Sequence, residues 1–461
     1  MLTPNPREVV THQALVVYLA AVFVYVAAIL GRTSFGVAGV EAIDRFEVDA
    51  SRIAVFTAVQ LGTYALAQIP TGMAIDKFGP RTMLVVGALV MAVGQIILGL
   101  TSSYGVAIGA RVLIGGGDAT AFLSVMRLIP AWFPMKKAPL FAQAASALGQ
   151  IGQFLSAVPF LWLLGVSGWT TAFVSLGAVG LIIALSAAVA VKDSPNTASF
   201  GDVRSGSTDS LSDAPLASQP PQPQAEPQSI IKRLGTVIRH PAAWQTFFIH
   251  FTGLSTQLVF VLLWGVPLMT QGMGLSSSTA GALLTLNTVI LVLVGPLHGM
   301  ISARNSGRRD VIVFVSCLVL LCCYAWFFSA EQPRGVVAIA FVVVMLGLIS
   351  PVANYGFDIV REQMDMKVVA TGTGLGNMGG FIAGMSGAQF FGLLLDHSAD
   401  GQSYGWEDFR FASLGMASVW VIGFVGIVIT GIARRRRESA RVRIRSEEPP
   451  ASPRDTPRPP Q

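Results

Sequence analysis

Arg32, Arg111 and Asp118 lie inside long apolar stretches of this chain. A charged side chain held in a bilayer costs about 2.5–3.5 kcal/mol on insertion scales, so such residues usually face a bundle interior and act there. Arg32 falls about two helical turns outward of the middle of its stretch. It either snorkels to the outer headgroups or serves as a fixed cation for an anionic substrate. The second reading is favoured, because a guanidinium stays charged and offers a planar fork to carboxylate or phosphate. Arg111 and Asp118 are seven residues apart, which puts them on one helix face at roughly 10 Å along the axis. Asp118 falls near mid-membrane, where loss of water disfavours the charged carboxylate; it is the candidate proton carrier, with Arg111 as its gate. A permanent salt bridge for Asp118 and a packing role for Arg111 are the plainer alternatives. His250, Gln257, Asn354 and Tyr355 bring polar groups to two further stretches and are candidate substrate contacts. Each is as readily glue between helices. Arg127 is expected to snorkel, and Asp358 and Arg361 to pair locally.

These residues need membrane-spanning helices to position them. About 20 mostly apolar residues cross the hydrocarbon core. Windows of that length place spans near 14–38, 53–75, 82–100, 105–131, 138–163 and 169–191. A second set follows near 243–269, 279–301, 310–329, 335–359, 368–395 and 409–433. The fold class is therefore an all-α polytopic membrane protein with twelve transmembrane helices. Arg45, Arg52, Arg334 and Arg410 are the basic residues of the connections on one side. The connections on the other side hold many more, from Lys77 and Arg81 through Lys136, Lys137, Arg308 and Arg309 to Lys367. Positive charge collects on the cytoplasmic side, so both termini are expected there, in a multi-pass protein of the cytoplasmic membrane.

Only 12% of residues are charged against 52% apolar, about half the charge of a soluble domain, which excludes a water-soluble globule. The net charge of +6 gathers in the run from Arg434 to Arg437 and the arginines after it. It directly follows an apolar span, so it reads as a contact with the lipid bilayer rather than with nucleic acid. Cys317, Cys322 and Cys323 share one apolar stretch and form neither a disulfide framework nor a metal set. No nucleophile–base pairing, metal set or nucleotide loop is present, so neither an enzyme nor a bound cofactor is expected. Four parts follow: a six-helix bundle over 1–193, a largely disordered Ser- and Pro-rich cytoplasmic linker over 194–240, a second six-helix bundle over 241–437, and a disordered basic tail over 438–461.

The two bundles repeat one another. Leu148-Gly149-Gln150-Ile151-Gly152-Gln153-Phe154 in the fifth span matches Leu375-Gly376-Asn377-Met378-Gly379-Gly380-Phe381 in the eleventh, 227 residues on. Gly72-Met73-Ala74-Ile75 after the second span matches Gly299-Met300-Ile301-Ser302 after the eighth at the same offset. A duplicated six-helix unit is the parallel two-half plan of secondary transporters.

The stretch from Gly72 to Leu84, with Asp76, Gly79 and Arg81, resembles the loop motif of the major facilitator superfamily between its second and third helices. The resemblance implies a cytoplasmic gate in which the glycines let helix ends meet, while Asp76 and Arg81 pair or cap neighbouring helix ends. The second copy departs from it, with Ala303 where the acid should stand. Arg111 to Asp118 resembles the fourth-helix RxxxGxG motif of proton-coupled members. The fifth span lacks the Gly-Pro pair of drug/proton antiporters, which favours uptake over export. Arg32, Asp118, Trp132-Phe133-Pro134 and the stretch from Gly376 to Phe381 look most like the organic anion:cation symporters and their organophosphate-exchanging relatives. Many of those carry an acid just before the first-helix arginine, where this chain has Gly31. Nitrate and nitrite porters share an Asn-x-Gly-Gly, but hold their anion with arginines in the second and eighth helices. Here those helices offer Gln60, Tyr64, Gln68 and Asn287. The resemblance implies a monomeric secondary transporter that takes up a small organic anion, with protons as the coupling ion. A drug or metabolite exporter or exchanger, a nitrate or nitrite porter, and a non-transporting membrane sensor of the same fold remain the alternatives.

Overall fold

The computed structural model describes residues 9–48, 50–195, 230–401 and 403–447, and among them every regular element is helical. In the first half, α1 spans His12–Val37, and a short α2, Gly39–Phe46, follows it. Then come α3 Ala50–Phe78, α4 Pro80–Leu100, α5 Tyr104–Trp132, α6 Ala138–Leu155 and α7 Leu161–Ala190. A short α8, Ile230–Ile238, leads into the second half. That half holds α9 Pro241–Val259, α10 Ser277–Arg304, α11 Arg309–Phe328, α12 Gly335–Ile349, α13 Tyr355–Gln363, α14 Val369–Ala399 and α15 Trp406–Glu447.

These elements make the twelve crossings. The fifth runs from α6 through a π-helical turn at Ser156–Phe160 into the first residues of α7. It ends at Gly168, whose φ of 75° splits α7 into two helices; the sixth crossing follows. The seventh runs from α9 through further π-helical turns to Gly272. The tenth joins α12 to α13 through the 3-10 turn Ser350–Asn354. By length and hydropathy alone nine segments among the described residues qualify as spans. The stretch Ala138–Ala190, which holds two crossings, counts once among them, and α3 and the broken seventh crossing do not qualify. Those two carry more polar groups, and both reach the cavity described below.

Local chemistry sets the boundaries. The Thr11 hydroxyl accepts from Ala14 N at 3.1 Å to start α1, and the Ser276 hydroxyl accepts from Thr279 N at 3.2 Å to start α10, each satisfying an amide that a helix start leaves unpaired. Between α3 and α4 the chain turns at Gly79, whose φ of 86° suits glycine, and Pro80 opens α4. Small residues then let helices approach. A Cβ on Gly117 would fall 2.5 Å from Gly87 O, and one on Gly152 would fall 2.4 Å from Val26 O, the close backbone contact that substitutes for a hydrophobic drive inside a membrane.

Two boundaries differ from expectation. Helix α15 continues to Glu447, so the first part of the expected tail is helical; its run of charged, helix-favouring residues follows the last span without a breaker. Helix α8 occupies part of the expected linker. Residues 196–229 of that linker and 448–461 of the tail lie outside the described residues.

Candidate substrate site and gate

Arg32 reaches from α1 to α5 and closes on Asp118. Its Nε donates to one carboxylate oxygen at 2.6 Å and an Nη to the other at 2.9 Å. Asp118 is fully buried, whereas the Arg32 side chain keeps 18% of its surface. The guanidinium lies over the ring of Tyr64, 4.5 Å from its centre, and 5.8 Å from that of Phe381. Tyr64 belongs to the first half and Phe381 to the second, so Arg32 sits where the halves meet.

A cavity of about 180 Å³ opens beside it, lined from both halves. Arg32, Tyr64, Gln150 and Gln153 face it from the first half; His250, Gln257, Asn354 and Asn377 face it from the second. Among the described lining residues Arg32 carries the one guanidinium, and the other polar groups are mostly neutral amides and hydroxyls. Two of those amides tie the halves together. Asn354 donates to Gln143 Oε1 at 3.1 Å while Gln143 donates to Pro351 O at 2.9 Å. Asn377 donates to the Tyr64 hydroxyl and to Gln68 Oε1, both at 2.9 Å.

Below the cavity the halves are closed on each other. Asp76, at the end of α3, accepts from Ala370 N at 3.1 Å, Thr371 N at 2.8 Å and the Thr371 hydroxyl at 2.7 Å. It thereby caps the first turn of α14, where unpaired amides and the helix dipole favour an anion. Arg127 lies 3.6 Å from the same carboxylate. A Cβ on Gly72 would fall 2.6 Å from Ala370 O, and one on Gly374 would fall 2.4 Å from Gln68 O. The repeat reproduces the contact on the other side, where a Cβ on Gly299 would meet Leu140 Cα at 2.6 Å.

A family model, the Major Facilitator Superfamily, matches residues 21–388. The chain belongs to the major facilitator superfamily. It is a transporter by that membership rather than an enzyme. Among similar proteins, a Cupriavidus necator protein described as a probable sulfoacetate transporter is 24% identical, over 81% of this chain and 85% of its own length. The D-galactonate transporter of Escherichia coli is 22% identical over 91% of this chain and 96% of its own. A Bacillus subtilis protein described as a probable galactarate/D-glucarate transporter is 23% identical over 72% and 75%. The fold matches the crystal structure of the Escherichia coli fucose:proton symporter with a TM-score of 0.61 at 12% identity, over 90% of this chain and 99% of that one.

Of the residues singled out in the sequence, Arg32, His250, Gln257 and Asn354 line the cavity together. His250 Nδ1 lies 3.1 Å from Ala353 O, and Gln257 donates to Asn287 at 2.7 Å and accepts from Ser350 at 3.0 Å. Tyr355 is not among the lining residues: its ring is buried and its hydroxyl meets His298 at 3.0 Å. The 3-10 turn just before it rotates Asn354 toward the cavity and Tyr355 into the second half. Arg111 does not meet Asp118. It is buried over the ring of Phe35, 4.7 Å from its centre, with Nε and one Nη unpartnered among the described residues. Side chains on a helix lean toward its N-terminus, which carries the Arg111 head away from the turn that bears Asp118.

Asp76 and Arg81 do not pair with each other either; each serves a helix end. Asp76 caps α14, while the Arg81 guanidinium donates to Ala188 O near the end of α7 and its amide donates to Asp193 at 2.7 Å. Gly79 lets that Asp193 carboxylate approach, since a Cβ there would fall 2.4 Å from it. Arg361 pairs with Asp358 at 2.7 Å, as expected for a local pair. Sequence reasoning missed Gln143, Gln150 and Phe381 as site residues. The repeat was the signal within reach, since Gln150 and Phe381 both fall in its matched stretches.

Proposed function

We propose that this protein moves a small organic anion, bearing a carboxylate or sulfonate, by alternating access coupled to protons. The observation that carries the reading is the Arg32–Asp118 contact at the cavity wall. A bidentate guanidinium–carboxylate pair is a binding site already filled by an internal anion. A substrate anion takes the guanidinium only as Asp118 gives it up, and protonation of Asp118 removes that competitor. Proton and anion then travel together, and the amides of Gln150, Gln153, Gln257 and Asn354 offer neutral partners to hydroxyl groups. Of the substrates named for the similar proteins, galactonate is a carboxylate on a hydroxylated body, and sulfoacetate carries a carboxylate and a sulfonate, either of which could take the guanidinium.

On the positive-inside pattern we assign the Asp76 gate and both termini to the cytoplasmic face, so that this closed gate would seal the cavity from the cytoplasm. The test is thermal stabilisation of the purified protein by sulfoacetate, galactonate and glucarate, with the uncharged sugar galactose as control, repeated for Arg32→Ala. Stabilisation by at least one anion, absent in the variant and absent with galactose, is expected. Stabilisation by galactose equal to that by galactonate would overturn the reading.

A further inference from the structure

A second cavity, larger than the one beside Arg32, lies elsewhere in the described residues. It has about 640 Å³ and lies within the second half, between α9 with its π-helical continuation, α11 and the start of α15. Its walls are apolar and largely aromatic, with Phe260, Trp264, Phe328, Phe391 and Trp420 among them. Phe411 and Leu414, 40% and 58% exposed, also line it, so it opens sideways from the bundle rather than toward the other half. It belongs to the end of the molecule opposite the Asp76 gate. Arg410 and Trp420 both line it and are ten residues apart on α15, a depth of about 15 Å. That is half of the roughly 30 Å hydrocarbon core, the depth of one leaflet.

The polar groups of the crevice fall in an order. At the mouth stand Glu407 and Arg410, one turn apart on α15, with no ion pair between them among the described residues. Arg410 Nε donates to Phe328 O at 3.1 Å, which fixes the guanidinium at the end of α11 and leaves its terminal nitrogens for a ligand. One turn deeper on α11 Tyr324 lines the crevice, its hydroxyl buried and without a partner among the described residues. A buried unpaired hydroxyl is costly and calls for an acceptor.

We infer that this crevice is a binding site for a phospholipid with a phosphoethanolamine headgroup, its phosphate on Arg410, its ammonium on Glu407 and its acyl chain along the aromatic wall. The order of groups carries the assignment. A phosphate at the mouth meets the guanidinium, an ammonium beside it meets Glu407, and hydrocarbon fills the apolar depth behind them. A phosphoglycerol headgroup would satisfy Arg410 and leave Glu407 beside a second negative charge. A water-soluble anion has no counterpart for the apolar walls.

Native mass spectrometry on the full-length purified protein tests this, with matched dioleoyl lipids carrying phosphoethanolamine or phosphoglycerol headgroups. The phosphoethanolamine lipid is expected to bind about tenfold more tightly. Glu407→Gln should erase that preference, and Arg410→Gln should weaken both lipids. Ala417→Trp, and separately Ala325→Trp from the facing wall, should block the retained lipid by filling the crevice. An unchanged unfolding midpoint identifies the variants that are properly folded. Equal affinity for the two lipids in the unmodified protein would overturn the assignment, as would undiminished retention in folded wall variants.

Discussion

Asp118 on α5 is held by Arg32 on α1 through both of its carboxylate oxygens, at 2.6 and 2.9 Å. The two residues are 86 positions apart, and the contact crosses between two helices that line the path between the halves. The Arg32 guanidinium also rests on Tyr64, whose hydroxyl accepts from Asn377 in the second half. Anything that draws Arg32 from Asp118 therefore acts on a ring already tied to the opposite bundle. Substrate binding and the relation of the halves share one set of side chains.

Arg32→Lys tests whether the planar fork matters. An ammonium keeps the charge but cannot present two parallel donors to a carboxylate. The expected result is anion binding weakened by at least about tenfold, with an unchanged thermal unfolding midpoint. Isothermal titration with whichever anion stabilises the unmodified protein reads this directly, and binding within twofold of the original would refute it.

Gly374→Leu tests the gate. Its Cβ would fall 2.4 Å from Gln68 O, a backbone atom that cannot swing aside. The halves must then part at that end. Spin labels at Lys136 and Lys367, on opposite halves of that face, should show a longer distance than in the parent protein. The same distance distribution in both would mean the close approach is not required for closure.

The spans were legible because a bilayer demands a fixed length of apolar sequence, and every expected window lies within a few residues of an observed crossing. What the windows could not supply was the rotation of each helix about its own axis. In water, a polar stripe reveals which face points out; in lipid, both faces are apolar. Arg111 was set against Asp118 because seven residues within one helix is a geometry a sequence can offer. The true partner, Arg32, required knowing how α1 lies against α5. Tyr355 failed for the same reason, since a 3-10 turn changes the angle by which successive side chains advance. Asp76 was read as able to pair or to cap; the capped helix, α14, lies nearly 300 positions away in the chain.

Asp76→Ala removes three hydrogen bonds to the first turn of α14. A helix cap is worth roughly 0.5–2 kcal/mol, and here that energy belongs to the closed gate alone. About 1.4 kcal/mol moves a two-state population tenfold, so the open population should rise by about that factor. The label pair at Lys136 and Lys367 should gain a long-distance component, with little change in unfolding temperature. Thr371→Val, which keeps the two amide donors and loses only the hydroxyl, should give a smaller change in the same direction.

Asp118→Asn separates binding from coupling. The amide approximates the protonated carboxyl in size and in lacking charge, so it releases Arg32 from its internal anion permanently. The carboxylate is fully buried and, among the described residues, its two oxygens have no other charged contact within salt-bridge distance. Gly31 stands beside Arg32 where an acid would offer a second carrier. In liposomes the variant should therefore bind the anion at least as tightly as the parent and exchange it in counterflow. It should lose accumulation driven by an inward proton gradient. Binding tighter than the parent, with that loss, would mean that Asp118 and the substrate compete for one guanidinium. A parent protein that accumulates anion identically with and without a pH gradient would instead make the pair a fixed salt bridge in an exchanger. Full gradient-driven accumulation by Asp118→Asn would remove Asp118 as the proton carrier while leaving Arg32 as the anion site.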